Sequence, residues 1–167
     1  MKRTSKVLAT ILALVLIVCA MLCVVAFSEN EAPSLGYANV VYCDRFSLAF
    51  TVDNAGDGTV GIAVYKNAED ETPMYVSFDK KVNNDVEYYE TFGIAAKDID
   101  TVYYVAVATK DADGNVTNLS APAAYSVAQY ATDSLAKEGI TDAQKAVYQA
   151  ILNYNKAADA VITVAAN

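Results

Sequence analysis

The stretch TVYYVAVAT, residues 101–109, decides the fold, because it alternates like a β-strand and is nevertheless apolar on both of its faces. A strand that is apolar on both faces needs cover on two sides. We therefore expect a second layer of structure against each of them. The two faces consist of alternate residues, Val102, Tyr104 and Ala106 on one side and Tyr103, Val105 and Val107 on the other.

Six further runs with strand character accompany this stretch and are separated by turn-forming residues. Seven short antiparallel strands predict a β-sandwich of the immunoglobulin or fibronectin type over residues 37–121, with a meander or a barrel as the alternative. In the run 86–92, we expect the apolar face to contain Tyr88. Glu90 interrupts that face, so we expect this strand to lie at an edge of its sheet. The six runs are residues 38–43, 46–52, 60–65, 74–78, 86–92 and 116–120.

The apolar period changes after Pro122 from two residues to the helical spacing of three to four. Residues 122–167 therefore predict two helices with a short connection, which is typical of an antiparallel αα-hairpin. The first helix is expected to begin near Ala124 and to end at Gly139, a residue that often terminates helices.

The second helix is predicted to begin at a capping box formed by Thr141 and Gln144. Its apolar stripe includes Val147, Ile151 and Tyr154. We expect this C-terminal hairpin to dock on the sandwich, so that the stripe and the doubly apolar strand 101–109 cover each other.

Residues 1–28 predict a signal peptide or a membrane anchor in the form of a hydrophobic helix. Residues 7–27 are uncharged and long enough to cross a bilayer, and three basic residues precede them, which places the following chain outside the cell. Small residues near Ala26 favour cleavage, whereas the length of the apolar run favours a retained anchor. Residues 29–36 are polar, and they predict a linker.

The charge balance excludes several classes of partner. The chain has 12 basic and 20 acidic residues and a formal net charge of −8, which repels nucleic acid and anionic lipid. We expect no nucleic-acid partner, and membrane contact only through residues 7–27 if they are retained. Cys43 is the one thiol after the leader, so the cleaved chain has no internal disulfide, and Cys43 is predicted to be a small buried apolar residue.

The absence of His removes the catalytic triads that depend on it and most zinc sites. We therefore predict no catalytic, cofactor-binding or metal-binding residue, no cofactor, and no enzymatic activity. Two acidic loops are the remaining candidates for the paired carboxylates of a glycosidase, and solvated loop charge is the favoured interpretation. These loops contain Glu69, Asp70 and Glu71, and Asp98 and Asp100.

Two turns place oxygen ligands at alternate positions, as calcium loops do. One contains Asp111, Asp113 and Asn115, and the other contains Asp53 and Asp57. Neither has the acidic residue expected at the twelfth position. Asp and Asn are also common in tight turns, so plain turns are the favoured interpretation and weak calcium binding is the alternative.

Tyrosine is abundant, with 12 Tyr against 5 Phe, and its flat ring with a polar tip suits contacts to sugars or proteins. Two adjacent pairs, Tyr88-Tyr89 and Tyr103-Tyr104, lie on predicted strands, so one member of each pair should face the core. We assign Tyr89 and Tyr103 to the outward side. Structural packing is the favoured role, and a ligand platform is the alternative.

Three segments resemble an uncharacterised module of exported, often large, surface proteins of gut Clostridia, in which a β-rich segment leads into two helices with characteristic motifs. The resemblance covers about residues 35–160. Here Asn155 stands where the family has Gly, and Asp159 where it has Gln. The segments are FGIAAKDI at 92–99, YSVAQYA at 125–131 and ILNYNKAAD at 151–159.

These observations predict a non-catalytic, exported interaction or structural module of a bacterial surface, located outside the cell or anchored by residues 7–27. Its partner is expected to be a surface protein or a glycan. The alternative is a carbohydrate-binding module of an extracellular polysaccharide-degrading system, and a small hydrolase is a more distant one.

Overall fold

The computed structural model describes residues 31–165, except residues 43 and 57. The predicted signal or anchor segment and the predicted burial of Cys43 lie outside the described residues. The account below concerns the compact unit that begins at Ala32.

Nine strands precede two helices, and a 3-10 turn interrupts the strands at Ala96–Asp98. The helices are α1 (Val127–Leu135) and α2 (Asp142–Ala165). The strands are β1 (Ser34–Tyr42), β2 (Phe46–Asp53), β3 (Val60–Tyr65), β4 (Tyr75–Ser77), β5 (Lys81–Asn83), β6 (Val86–Glu90), β7 (Tyr103–Lys110), β8 (Val116–Asn118) and β9 (Ala123–Tyr125).

The strands form two antiparallel sheets. The four-stranded sheet has the order β1-β2-β6-β5, and the five-stranded sheet has the order β4-β3-β7-β8, with β9 also paired to β7. The predicted class, mainly β with two C-terminal helices, is confirmed. Two strands, β5 and β9, were not predicted, and β1 begins at Ser34, inside the predicted linker.

One apolar core contains residues of both sheets. Alternate side chains of β2 enter it, as the spacing of Leu48 and Phe50 predicts, and both are fully buried. The five-stranded sheet contributes mainly β-branched residues, which pack well on a pleated surface. They are Val60, Ile62, Val64, Val105 and Val107.

Strand β6 has the opposite orientation to the one predicted. Tyr89 faces the core and Val86 is exposed, so the predicted apolar face is the outer one. The predicted edge position is also wrong, because β6 lies between β2 and β5. Hydrogen bonding explains the error: Thr91 Oγ1 accepts a bond of 3.0 Å from the Leu48 amide, which makes a polar residue compatible with the buried face.

Helix α1 begins later and ends earlier than predicted. Ser126 caps it by accepting a bond of 3.0 Å from the Gln129 amide, and the preceding residues form β9 against β7. The predicted start at Ala124 is therefore wrong. The helix ends at Leu135, and Gly139, at a φ of 78°, belongs to the connection rather than to the helix end.

The capping box of α2 is confirmed. The Thr141 amide donates to Gln144 Oε1 at 2.8 Å, and the Gln144 amide donates to Thr141 Oγ1 at 3.2 Å. Of the three stripe residues Val147, Ile151 and Tyr154, only Ile151 is buried, because Val147 is 57% exposed and Tyr154 is 53% exposed.

The actual inner face of α2 is rotated toward Tyr148, Leu152 and Asn155, which are half-buried. Asn155 Nδ2 donates to the carbonyl oxygen of Ala96 at 3.1 Å, so a polar side chain holds part of this contact. The inner face therefore shares Ile151 with the predicted stripe, and otherwise lies to one side of it.

The hairpin packs on the sheets, but not where the sequence predicts. Val127, Ala131 and Ile151 belong to the same core as the residues between the sheets. The amide of Ala128 donates to the carbonyl of Ile99 at 2.8 Å, which fixes α1 beside the 3-10 turn. In the described part of the chain, no helix has the length and hydropathy of a membrane span.

The second face of β7 is covered by the sheet's own side chains rather than by the hairpin. A separate cluster on this outer face contains Ala63, Ala106, Ala108 and Tyr65, with no helix residue in it. Tyr65 is only 3% exposed, and its hydroxyl donates to Asn118 Oδ1 at 2.7 Å. We term this surface the closed face.

Candidate functional site

The outer face of the four-stranded sheet carries a depression with a volume of about 360 Å³. We term this surface the open face. Six of its nine lining residues carry a side-chain hydroxyl or amide, and none carries a charge. The nine residues are Tyr37, Asn39, Val41, Ala49, Thr51, Asn83, Asn84, Val86 and Tyr88.

A β-bulge in β1 positions the most prominent side chain of the open face. The pairing of β1 with β2 shifts register between Leu35 and Ala38, and bulges of this kind redirect side chains. The Tyr37 amide donates to Thr51 Oγ1 at 2.8 Å, and the Tyr37 side chain is 86% exposed. Residue 36 is Gly, because a Cβ atom there would collide with Thr51 Oγ1.

A tight hairpin turn positions two amides at the opposite side of the depression. Asn84 and Asp85 have φ values of 50° and 63°, which is the signature of a two-residue type I′ turn between β5 and β6. The turn brings Asn83 and Asn84 to the open face. Among the described residues, their side-chain amides have no hydrogen-bond partner, so they are available to a ligand.

Asn39 connects the open face to α1. Its Oδ1 atom accepts one bond from the Tyr130 hydroxyl and one from the Val40 amide, each at 2.8 Å. The amide nitrogen of Asn39 remains a donor at the wall of the depression. The helical hairpin therefore helps to hold one lining residue in place.

Two ion pairs link residues 80 and 81 to strand β6. Lys80 pairs with Glu87 at 2.9 Å, and Lys81 pairs with Glu90 on the neighbouring strand. The hydrogen bond that each lysine donates to its carboxylate partner raises the pKa of that lysine above its ordinary value. Both lysines stay charged at neutral pH, and each charge is compensated by its partner.

In the two acidic loops, Asp70 and Asp98 are bonded to neighbouring residues. Asp70 accepts bonds from the amide and the side chain of Asn67, which lower the pKa of its carboxyl group. Asp98 pairs with Lys97. Glu71 borders a shallow depression whose lining residues include no second carboxylate.

The turn at Asp111, for which a plain turn was the favoured interpretation, is an Asx turn of the β7–β8 hairpin. The Asp111 carboxylate accepts bonds from the Asn115 side chain and from the amides of Asn115 and Asp113. These bonds lower the pKa of Asp111. The described residues contain no cluster of three potential metal ligands. The second turn includes Asp57, which lies outside the described residues.

The two tyrosine pairs alternate as predicted, but with the opposite assignment. Tyr89 and Tyr103 are buried in the core, and burial raises the pKa of both hydroxyls. Tyr88 and Tyr104 are the outward members. Tyr88 lines the open face, as a ligand platform requires. Sequence reasoning missed Tyr37, although its position after Gly36 was a usable sign of a bulge.

No family model, curated protein or solved structure matches the chain. The functional argument therefore depends on the geometry of the open face.

Proposed function

We propose that this chain is an exported, non-catalytic surface module that binds its partner through the open face. The single observation that supports this role is the depression itself, where exposed rings and unpaired amides lie on a preformed sheet surface. On the closed face, by contrast, the Tyr65 hydroxyl is already bonded to Asn118.

Export is supported by the sequence of the leader, with basic residues before the apolar run 7–27. Expression of the full chain with a C-terminal epitope in a Gram-positive host tests it. We expect the epitope in the medium or on the cell surface, accessible to added protease. An epitope that stays protected in the cytoplasm contradicts this part of the proposal.

The non-catalytic role is supported by the placement of the acidic candidates. Asp70 and Asp98 are engaged by Asn67 and Lys97, whereas a glycosidase holds two carboxyl groups across a cleft. Incubation of the purified chain with polysaccharides should release no reducing ends. Release that disappears in the Glu71→Gln variant would instead identify a hydrolase.

The fold supports a finer proposal, that the two sheets are a variant of the immunoglobulin or fibronectin sandwich with added strands β5 and β9. Its support is the antiparallel pairing and the shared core. An experimental structure whose strand connections differ from a Greek key contradicts it.

A second candidate function is a carbohydrate-binding module of an extracellular polysaccharide-degrading system. The combination of Tyr37, Tyr88 and amide side chains on one face favours it, because rings and amides together suit sugars.

A further inference from the structure

We propose that the open face binds an uncharged saccharide chain, with the Tyr37 ring as the stacking platform and the Asn83 and Asn84 amides as the hydrogen-bonding groups. This inference rests on the proposed binding role of the open face, and it adds the class of ligand and the residues that recognise it.

The chemistry of the lining residues fits a sugar. A sugar ring presents an apolar C–H face, which a flat tyrosine ring covers, and a rim of hydroxyl groups that both donate and accept hydrogen bonds. Side-chain amides also do both. The exposed ring of Tyr37 and the amides of Asn83 and Asn84 border the same depression.

The electrostatics select an uncharged ligand. None of the lining residues is charged, and Lys81, which lies beside Tyr88 on the neighbouring strand, is paired with Glu90. A polyanionic glycan would also meet a chain of net charge −8. A neutral saccharide meets no such electrostatic repulsion.

The shape argues against a protein as the ligand. Protein interfaces depend on large apolar or Arg anchors in desolvated pockets, whereas the floor here is formed by the small residues Ala49 and Thr51. The volume of about 360 Å³ lies at the lower end of the range for small-ligand sites. The bulge and the type I′ turn fix the walls before a ligand arrives, which lowers the ordering cost of binding.

The test titrates the purified full chain with cellohexaose, xylohexaose, mannohexaose and maltohexaose, and with hexagalacturonic acid as the charged counterpart. Calorimetry and tyrosine fluorescence report binding, since the chain has no Trp to mask its Tyr emission. We expect at least one neutral hexasaccharide to bind and the galacturonate to bind more weakly or not at all.

Two variants locate the site. Tyr37→Ala removes the platform and should weaken binding by about tenfold or more, the effect of losing one interface hot spot. Asn84→Gly removes the amide while allowing the positive φ that the turn requires, and should also weaken binding. The matched control is Tyr42→Ala, which deletes a tyrosine that is 60% exposed but lies outside the open face, and it should leave affinity unchanged.

The inference is overturned if no neutral hexasaccharide binds, or if binding survives both variants unchanged. Circular dichroism confirms that each variant is folded. The protease-accessibility and reducing-end assays do not depend on sugar binding. If export is seen and no hydrolysis occurs while the titrations fail, the saccharide inference and the second candidate function fall, and the exported, non-catalytic module stands.

Discussion

The two outer faces of the sheets use similar residues and reach opposite outcomes. On the closed face, Tyr65 lies over Ala63, Ala106 and Ala108 with its hydroxyl bonded to Asn118. On the open face, Tyr37 extends into solvent above small floor residues. Tyrosine content alone therefore does not identify a binding surface. A tyrosine can contact a ligand only where its hydroxyl is not already bonded to a neighbour and its ring is exposed.

The local backbone produces this difference. Tyr65 sits in a regular ladder, paired with Tyr104 of β7, so its ring stays over the sheet. Tyr37 follows Gly36 at a register shift, so its ring leaves the row of its neighbours. One inserted residue thus separates a structural tyrosine from an available one.

The largest expected effect on stability is the difference between truncating Tyr65 on the closed face and Tyr37 on the open face. Tyr65→Ala should lower the free energy of unfolding by about 3 to 5 kcal/mol, because it uncovers three buried alanines and leaves a cavity. Tyr37→Ala should change it by about 0.5 kcal/mol or less, as is usual for surface substitutions. Urea denaturation of both variants measures the two values. Equal losses would show that the two faces do not differ in the way described.

The next effect tests whether the hairpin belongs to the core or to an outer face. Ile151→Ala should cost about 2 to 3 kcal/mol, since Ile151 is buried in the core shared by both sheets. Val147→Ala, one turn earlier and exposed, is the matched control and should cost about 0.5 kcal/mol or less. The midpoints of urea denaturation distinguish the two variants. A larger loss of stability for Val147→Ala would show that Val147 belongs to the buried face after all.

A smaller effect on stability is expected when only the hydroxyl group of Tyr65 is removed. Tyr65→Phe keeps the ring and removes the bond to Asn118, which should cost about 1 kcal/mol. Tyr37→Phe, with no such bond, should leave stability unchanged. Thermal unfolding compares the two variants, and an unaffected Tm for Tyr65→Phe would mean that packing alone holds the ring.

The smallest expected effect on stability at neutral pH comes from changing the buried Tyr103. Its effect should appear at alkaline pH. Burial raises the pKa of Tyr103 above its ordinary value, and the nearby Asp98 carboxylate adds to the shift. The associated stability is full below the unfolded pKa of about 10 and is lost as the pH rises through the folded pKa. Tyr103→Phe should therefore shift alkaline unfolding to higher pH, while Tyr37→Phe should not. Tyrosinate absorbance and circular dichroism follow the transition.

Much of the fold is predictable from local pattern. The strands with strict alternation, such as β2, and the capping box of Thr141 and Gln144 depend on residues that are close in sequence. The errors occur where a distant hydrogen bond outweighs hydrophobicity. Thr91, directly after β6, is buried and bonded to the Leu48 amide, and Asn155 on the inner face of α2 is bonded to the Ala96 carbonyl.

The candidate site was harder to predict, because its parts are far apart along the chain. Tyr37 and Asn84 meet only once β1 and β5 lie in the same sheet, and β5 is too short to give a periodic pattern. The alternation of residues 86–92 assigns the outward Tyr88 to the core, which conceals the open face. The Gly36-Tyr37 pair and the Asn84-Asp85 turn were the available local signs.

Strand β1 is outermost in its sheet within the part of the chain that the structure describes. Its Val40 amide, which points away from β2, is already occupied by the Asn39 side chain, and Tyr130 anchors that side chain from α1. A second copy approaching edge to edge would have to break this arrangement before it could add a strand. Molecules at high local concentration would thus carry less risk of fibril growth than molecules with a bare edge would.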